Sequence, residues 1–339
     1  MDGAGNTIIT LNGPSHIQWS DFKVTAGRTL TFQSTNNGQF ATLNTVGGLF
    51  ARPSNIAGGI TADGPFRLVN AGGITLAATG SISAPSVFLS TLTPADPTAL
   101  LAGQSTTFSK TGFGLLTLSG VVTATQGSLI AASPILTVNQ TATLAAPAGR
   151  VQLVAGESGI SGPNSTGHLA SVPGAMGTIT TNGAIRAREV ELIAHSFITN
   201  GGTLESCTPG MCLPGNFVRL TASHITHETK GIISTSQLTT TGVFEQKGRI
   251  IRPNDGANPG TVSSTLQVPT FTTAATKPAQ ASTDIRPGLL SYTHLQNREP
   301  AVQPRGFATG TEVATRSGVA LKKKSKSVVA RSSFFGTVR

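Results

Sequence analysis

The sequence predicts an all-β solenoid, a chain of short strands wound into stacked coils. Three observations carry that expectation: apolar residues paired two positions apart, turn residues between the pairs, and a scarcity of charge. The pairs include Leu30 and Phe32, Ile74 and Leu76, Val87 and Leu89, Leu116 and Leu118, Val151 and Leu153, Val190 and Leu192, and Val218 and Leu220. Between them stand Asn36-Asn37-Gly38, Gly72-Gly73, Gly149, Asn182-Gly183 and Asn200-Gly201-Gly202. Such spacing puts one side chain of every two on a buried face, and such punctuation turns the chain between strands.

Charge is the third observation. The 339 residues include 24 Lys or Arg and 14 Asp or Glu, so charged residues make up 11%, against about 25% in an ordinary soluble domain. A stack of coils would otherwise bury unpaired charges. Forty glycines and 19 prolines, with abundant Thr and Ser, exclude a dense helical protein, because these residues are poor helix formers. The 38% apolar content, concentrated in strand-like runs, argues against a chain disordered throughout. No apolar run approaches the roughly 18 residues that would suggest a membrane-spanning helix.

Four segments share one frame: Ala84-Pro-Ser-Val-Phe-Leu-Ser, Gly149-Arg-Val-Gln-Leu-Val-Ala, Arg188-Glu-Val-Glu-Leu-Ile-Ala and Asn216-Phe-Val-Arg-Leu-Thr-Ala. Val87 to Leu116 spans 29 positions, Leu116 to Leu136 spans 20, and Val190 to Val218 spans 28. An approximate recurrence of this length suits coils whose equivalent strands pair in parallel. A β-sandwich also gives short strands, but with tighter hairpin turns and cleaner meanders. A propeller would show a regular aromatic blade motif, whereas Trp19 is the only tryptophan.

The formal charge of +10 is unevenly placed. Residues 300–339 hold Arg305, Arg316, Lys322, Lys323, Lys324, Lys326, Arg331 and Arg339 against Glu312, which leaves +3 on all the rest. No aromatic platform or recognition helix accompanies this basic segment, so nucleic acid is not read as the main partner. Cys207 and Cys212 flank Pro209-Gly210. A turn there would let the two thiols form a small disulfide loop, the alternative being two unpaired thiols.

Catalysis finds little support. The histidines are scattered except for His224-Ile-Thr-His227, and three positions along a strand place side chains on opposite faces. Both are read as solvent-facing, with no metal, cofactor or catalytic residue assigned. Arg186, Arg188, Glu189 and Glu191 read as an exposed ion-pair cluster. The carboxylates are not grouped as carbohydrate-cleaving enzymes need, although an enzyme sharing only the fold is the alternative function class.

Residues 16–92 carry a more specific pattern. Trp19-Ser-Asp-Phe22 is followed by Pro53-Ser-Asn-Ile-Ala-Gly-Gly-Ile-Thr-Ala-Asp-Gly64, then Phe66-Arg-Leu-Val-Asn-Ala-Gly-Gly-Ile74, then Leu89-Ser-Thr-Leu92. Four elements in this order resemble the N-terminal haemagglutination-activity domain of filamentous haemagglutinins, the secretion domain of two-partner-secretion exoproteins. The resemblance implies a right-handed, single-stranded parallel β-helix in a secreted or surface-exposed protein, a bacterial adhesin. Its implied partners are an outer-membrane β-barrel transporter and host or surface glycans. Where the family has Asn-Pro-Asn-Gly, this chain has Asn70-Ala71-Gly72-Gly73. Asn70, Gly72 and Gly73 are the transporter-recognition candidates. Met1 falls inside the family domain, which ordinarily follows an export signal, so the expected true start lies upstream.

The expected organisation is a secretion domain over 1–160, further coils over 161–250, a Pro/Thr-rich linker over 251–304 and a basic disordered tail over 305–339. Truncation after Pro253 should therefore leave the thermal midpoint nearly unchanged, since strand periodicity ends before it. A fall of many degrees in a melting curve followed by circular dichroism would contradict that boundary.

Overall fold

Short strands, most of three to six residues, stack in parallel upon the equivalent strands of the preceding and following coils. The structure, a computed structural model, describes residues 5–35, 39–47, 51–163, 169–171, 176–206 and 215–251. Twenty-four strands form one parallel sheet wound into a β-helix, and four more form a small antiparallel sheet. The single helix among the described residues is Pro97–Leu101.

Each coil has three sides. The coil of Ile74–Leu76, Ser81–Ala84 and Val87–Ser90 serves as the pattern. The first column stacks Ser54–Ile56, Ile74–Leu76, Leu116–Leu118, Ile135–Val138, Thr178–Thr181 and Phe197–Asn200. The second runs through Gly59–Ala62, Ser81–Ala84 and Val121–Ala124. The third runs through Phe66–Val69, Val87–Ser90 and Leu129–Ser133. Farther along, Thr143–Ala155 and Ala184–Ala194 run from the second side into the third as single strands, with a register shift at the bend.

The core follows from this stacking. Val87, Leu129, Val151, Val190 and Val218 lie in one inward column, all buried. This column contains the four segments of common frame, with Leu129–Ser133 as a further member. The 29-position spacing from Val87 to Leu116, however, does not join stacked residues. Leu116 belongs to the first column, and Val87 pairs with Leu129 instead. The longer step arises because the chain leaves the coil after Ser90 and returns at Leu116.

That excursion has a second core beneath it. Thr93–Pro94, Thr106–Ser109, Ile160–Gly162 and Ala170–Ser171 form the antiparallel sheet. With the helix they cover outward residues of the third column, so Leu43, Phe88, Ile130 and Val154 pack against Leu92, Leu100, Phe108, Ile160 and Leu169. Asp96 caps the helix by accepting bonds from the Thr98 and Ala99 amides, with Pro97 suited to the first turn. Arg67 lies in the same outward row, between Leu43 and Phe88, and burial lowers its pKa.

The outward face of the first column is regular in a different way. Thr75, Thr117, Thr137, Thr180, Thr199 and Thr226 stack in register. β-Branched side chains fit this pleated, half-exposed position, and their hydroxyls leave the face without charge.

The linker and tail expected beyond Ile251, and Cys207 with Cys212, lie outside the described residues.

Candidate functional site

Asn70-Ala71-Gly72-Gly73 forms the corner between the third side of one coil, Phe66–Val69, and the first side of the next, Ile74–Leu76. Asn70 is fully buried. Its carboxamide oxygen accepts from the Gly72 amide at 2.8 Å, closing a local turn. Its Nδ2 donates to the Arg52 carbonyl and the Ser54 hydroxyl, both at 2.8 Å, in the preceding coil. The backbone adds Asn70 N to Ser90 O and Gly73 N to Asn70 O. One side chain thereby fixes its own turn and ties it to the coil before.

The two glycines are required for different reasons. Gly73 has φ +117°, a conformation that side-chain-bearing residues rarely adopt. Gly72 is required for space: a Cβ there would lie 1.9 Å from the Ala51 carbonyl oxygen. The following coil packs equally closely, with Gly114 N donating to Ala71 O and Ile74 N to Leu115 O. The three recognition candidates thus occupy one corner, where the Asn70 side chain faces inward and holds the surrounding loops. The solvent-accessible surface of this corner is formed by Arg52, Ala71, Phe113 and Leu115.

Trp19 and Phe22 also have defined places. Their rings meet edge to face at 5.2 Å, and Phe22 is buried. Trp19 Nε1 donates to Asn44 Oδ1, whose own Nδ2 donates to the Arg67 carbonyl one coil on. The Trp-x-x-Phe element therefore anchors the first coils, much as Asn70 anchors the corner.

The two paired histidines do point to opposite faces, but only His224 is exposed; His227 is buried. The expectation of two solvent-facing histidines fails because His227 falls in an inward column in which Val138, Thr181, Asn200 and His227 are stacked. Thr181 donates to Asn200 Oδ1 at 2.7 Å. Asn200 Nδ2 donates to His227 Nδ1 at 3.0 Å, which leaves the imidazole Nε2–H to donate to the Arg249 carbonyl at 3.2 Å. The column becomes polar in these coils, and each polar group finds its partner one coil away.

Glu191 is likewise buried, not part of an exposed cluster. It lies where the cover over the third column gives out, between Gln152 and Arg219 in register. Gln152 Nε2 donates to it at 2.8 Å and Arg219 at 3.1 Å. Arg150 pairs with Glu189 beside it, while Arg186 pairs with Glu205 at the surface. Sequence spacing could not reveal the Gln152–Glu191–Arg219 row, because its members come from three coils. Among the described residues no group of three or more His, Cys, Asp or Glu side chains is placed to hold a metal ion.

Residues 5–203 match the TPS secretion domain family. The match covers more than half of the chain, and the chain belongs to that family: it is a two-partner-secretion exoprotein, a class defined by secretion rather than by catalysis. No curated protein sequence matches it. Among solved structures it is similar to the HMW1 secretion domain from Haemophilus influenzae, with a TM-score of 0.57 and 17% identity. That similarity covers 74% of this chain and 79% of that one, and at such identity it concerns the fold.

The buried His227 has a measurable consequence. Burial lowers its pKa below 6.5 despite its hydrogen bonds, and its Nδ1 already accepts a bond, so a proton there would face the Asn200 amide group. The unfolded chain binds that proton more readily. The contribution to stability is therefore complete above pH 6.5 and is lost as pH falls towards the lowered value, by at most about 1.4 kcal/mol per pH unit. Denaturant titrations between about pH 7.5 and about pH 5, a range that brackets ordinary histidine titration, should show a shallower decline for His227→Gln than for the unmodified chain.

Proposed function

We propose that the coils spanning residues 5–203 address this exoprotein to an outer-membrane barrel transporter, whose periplasmic part reads the surface held by the Asn70–Gly73 corner. The single observation that carries this reading is the family match across those coils. The corner supports it: the Asn70 side chain and the backbone around Gly72 and Gly73 couple three successive coils, so a partner touching this surface would sense whether the coils are correctly stacked. Export through a pore also suits a solenoid, because each coil depends chiefly on its neighbours and can fold in order of emergence. Outside the cell the protein acts as an adhesin.

The test is secretion upon co-expression with the partner barrel and an export signal. Gly72→Val and Gly73→Val should strand the chain in the periplasm, since each strained or overfilled position costs roughly 1–3 kcal/mol. His224→Ala, on an exposed face, should be secreted normally. Normal secretion of both glycine variants, with the corner shown by hydrogen exchange to be disrupted, would remove it from the recognition surface.

The adhesive part rests on a polar groove of about 840 Å³ along the turns between the first and second columns, lined by Ser119, Asn139, Gln140, Asn182, Glu228 and Lys230. Amides, a hydroxyl and one charge of each sign suit a hydroxyl-rich ligand such as a glycan. Secreted protein should retain a subset of oligosaccharides on a glycan array, and Gln140→Ala with Asn182→Ala should weaken that retention. Unchanged retention by the double variant would place the adhesive surface elsewhere.

A further inference from the structure

The outward face of the first column carries a row of exposed apolar side chains beside its threonines. Leu115 precedes Leu116, which pairs with Leu136, and so lies next to Ile135. Ile135 then pairs with Thr178, Thr178 with Phe197, Phe197 with His224, and His224 with Val243. Phe197 is 52% exposed and Val243 62%, while Leu115 and Ile135 are about half exposed. Two positions earlier in their coils, Phe113 is 93% exposed and Met176 73%, and they widen the row over the same corner.

Single exposed hydrophobic residues need no explanation, but a contiguous patch does. Here the side chains repeat in register at the spacing of stacked strands, about 4.8 Å. Taking about 200 Å² for a phenylalanine and less for the others, the exposed apolar surface is on the order of 600 Å². A standard interface buries about 800 Å² on each partner, and the threonine row beside the patch supplies the remainder as a flat, uncharged shelf.

The backbone at one end of the patch and the ring at its centre are held in place before any partner arrives. Phe113 sits between Gly112 and Gly114, whose Cβ positions are closed by the backbone of Ala71 and Gly73. The imidazole of His224 stacks on Phe197 at 5.5 Å and 28°. The central ring therefore needs little ordering on association, which favours binding. Aspartate, glutamate, lysine and arginine are absent from the row itself, and charge appears only at its ends. Lys110 Nζ lies 5.6 Å from the Phe113 ring at one end, and Glu245 follows Val243 by two residues at the other.

We propose that this row is a self-association surface on which a second copy of the chain docks antiparallel about a two-fold axis. The axis passes between the coils of Thr178 and Phe197, the middle of the row. The operation sets Leu115 against Val243 of the second copy and Ile135 against its His224. It also sets the short Thr178 against the second copy's Phe197, so each projecting ring fills the gap left by a small residue. The charges at the two ends are paired within each copy, Lys110 with Glu157 and Glu245 with Lys247, so the ends bring no unpaired like charges together. Such a surface is complementary to itself, as an isologous dimer requires; only its Leu115 end overlaps the corner surface proposed for the transporter, and Phe197 and Val243 lie outside that corner, so their variants test association apart from secretion.

The test is sedimentation equilibrium of the full chain at tens of micromolar, where a dimer is expected. Phe197→Ser should weaken it about tenfold or more, as loss of a central aromatic anchor does, with the far-UV circular dichroism unchanged. Val243→Asp, at the exposed end of the row, should also weaken it and serves as the second variant. Orientation is read with Leu115→Cys and Val243→Cys chains, each also carrying Cys207→Ser and Cys212→Ser. Mixed and treated with a short bis-maleimide, the two kinds of chain should be joined to each other through their introduced thiols. A monomer at every concentration would overturn the proposal, as would a dimer insensitive to both variants. Crosslinks confined to Leu115→Cys chains joined to each other would overturn the antiparallel arrangement.

Discussion

The parallel hydrogen bonds between successive coils are the constraint from which the remaining features follow. They place each residue directly above and below its equivalents, so a side chain's neighbours are chosen by register and not by sequence distance. Apolar residues in an inward column bury one another, as Val87, Leu129, Val151, Val190 and Val218 do. A polar residue in such a column must find its partner one coil away. The Thr181–Asn200–His227 chain meets this requirement with hydrogen bonds, and the Gln152–Glu191–Arg219 row adds charge to the same solution.

The same constraint explains how a corner can tie successive coils together without any reactive group. Asn70 satisfies the amides and carbonyls of a tight bend while bonding to the coil before. Gly72 and Gly73 allow the neighbouring backbones to approach. Asparagine suits the position because its carboxamide donates two bonds while accepting a third, whereas a hydroxyl has a single proton to donate and a carboxylate none.

Much of this architecture was legible in the sequence because strand alternation and corner residues are local. The repeated frames around Val87, Val151, Val190 and Val218 proved to be stacked strands, and the four ordered elements between Trp19 and Leu92 led to the family. Stacking partners were less legible wherever a coil was interrupted. The excursion after Ser90 broke the spacing, so Val87 and Leu116 looked equivalent when they lie on different sides. Burial of His227 and Glu191 was hidden for a related reason. Whether a polar residue lies under cover depends on which residues neighbouring coils and excursions bring over it, and a strand's own alternation does not encode that. The apolar row from Leu115 to Val243 contributes one residue per coil, and so leaves no run in the chain.

The excursions that build the antiparallel cover leave and rejoin the coil at a single kind of corner, between the third side and the first. Ser133 and Pro134 cross that corner directly, whereas the chain takes a long detour between Ser90 and Leu116. Stacking above and below is unaffected, because the closing entropy of a detour grows only slowly with its length. The corner is therefore a port where a long segment can leave and re-enter the winding, covering the outer surface while the coils beneath keep their pitch.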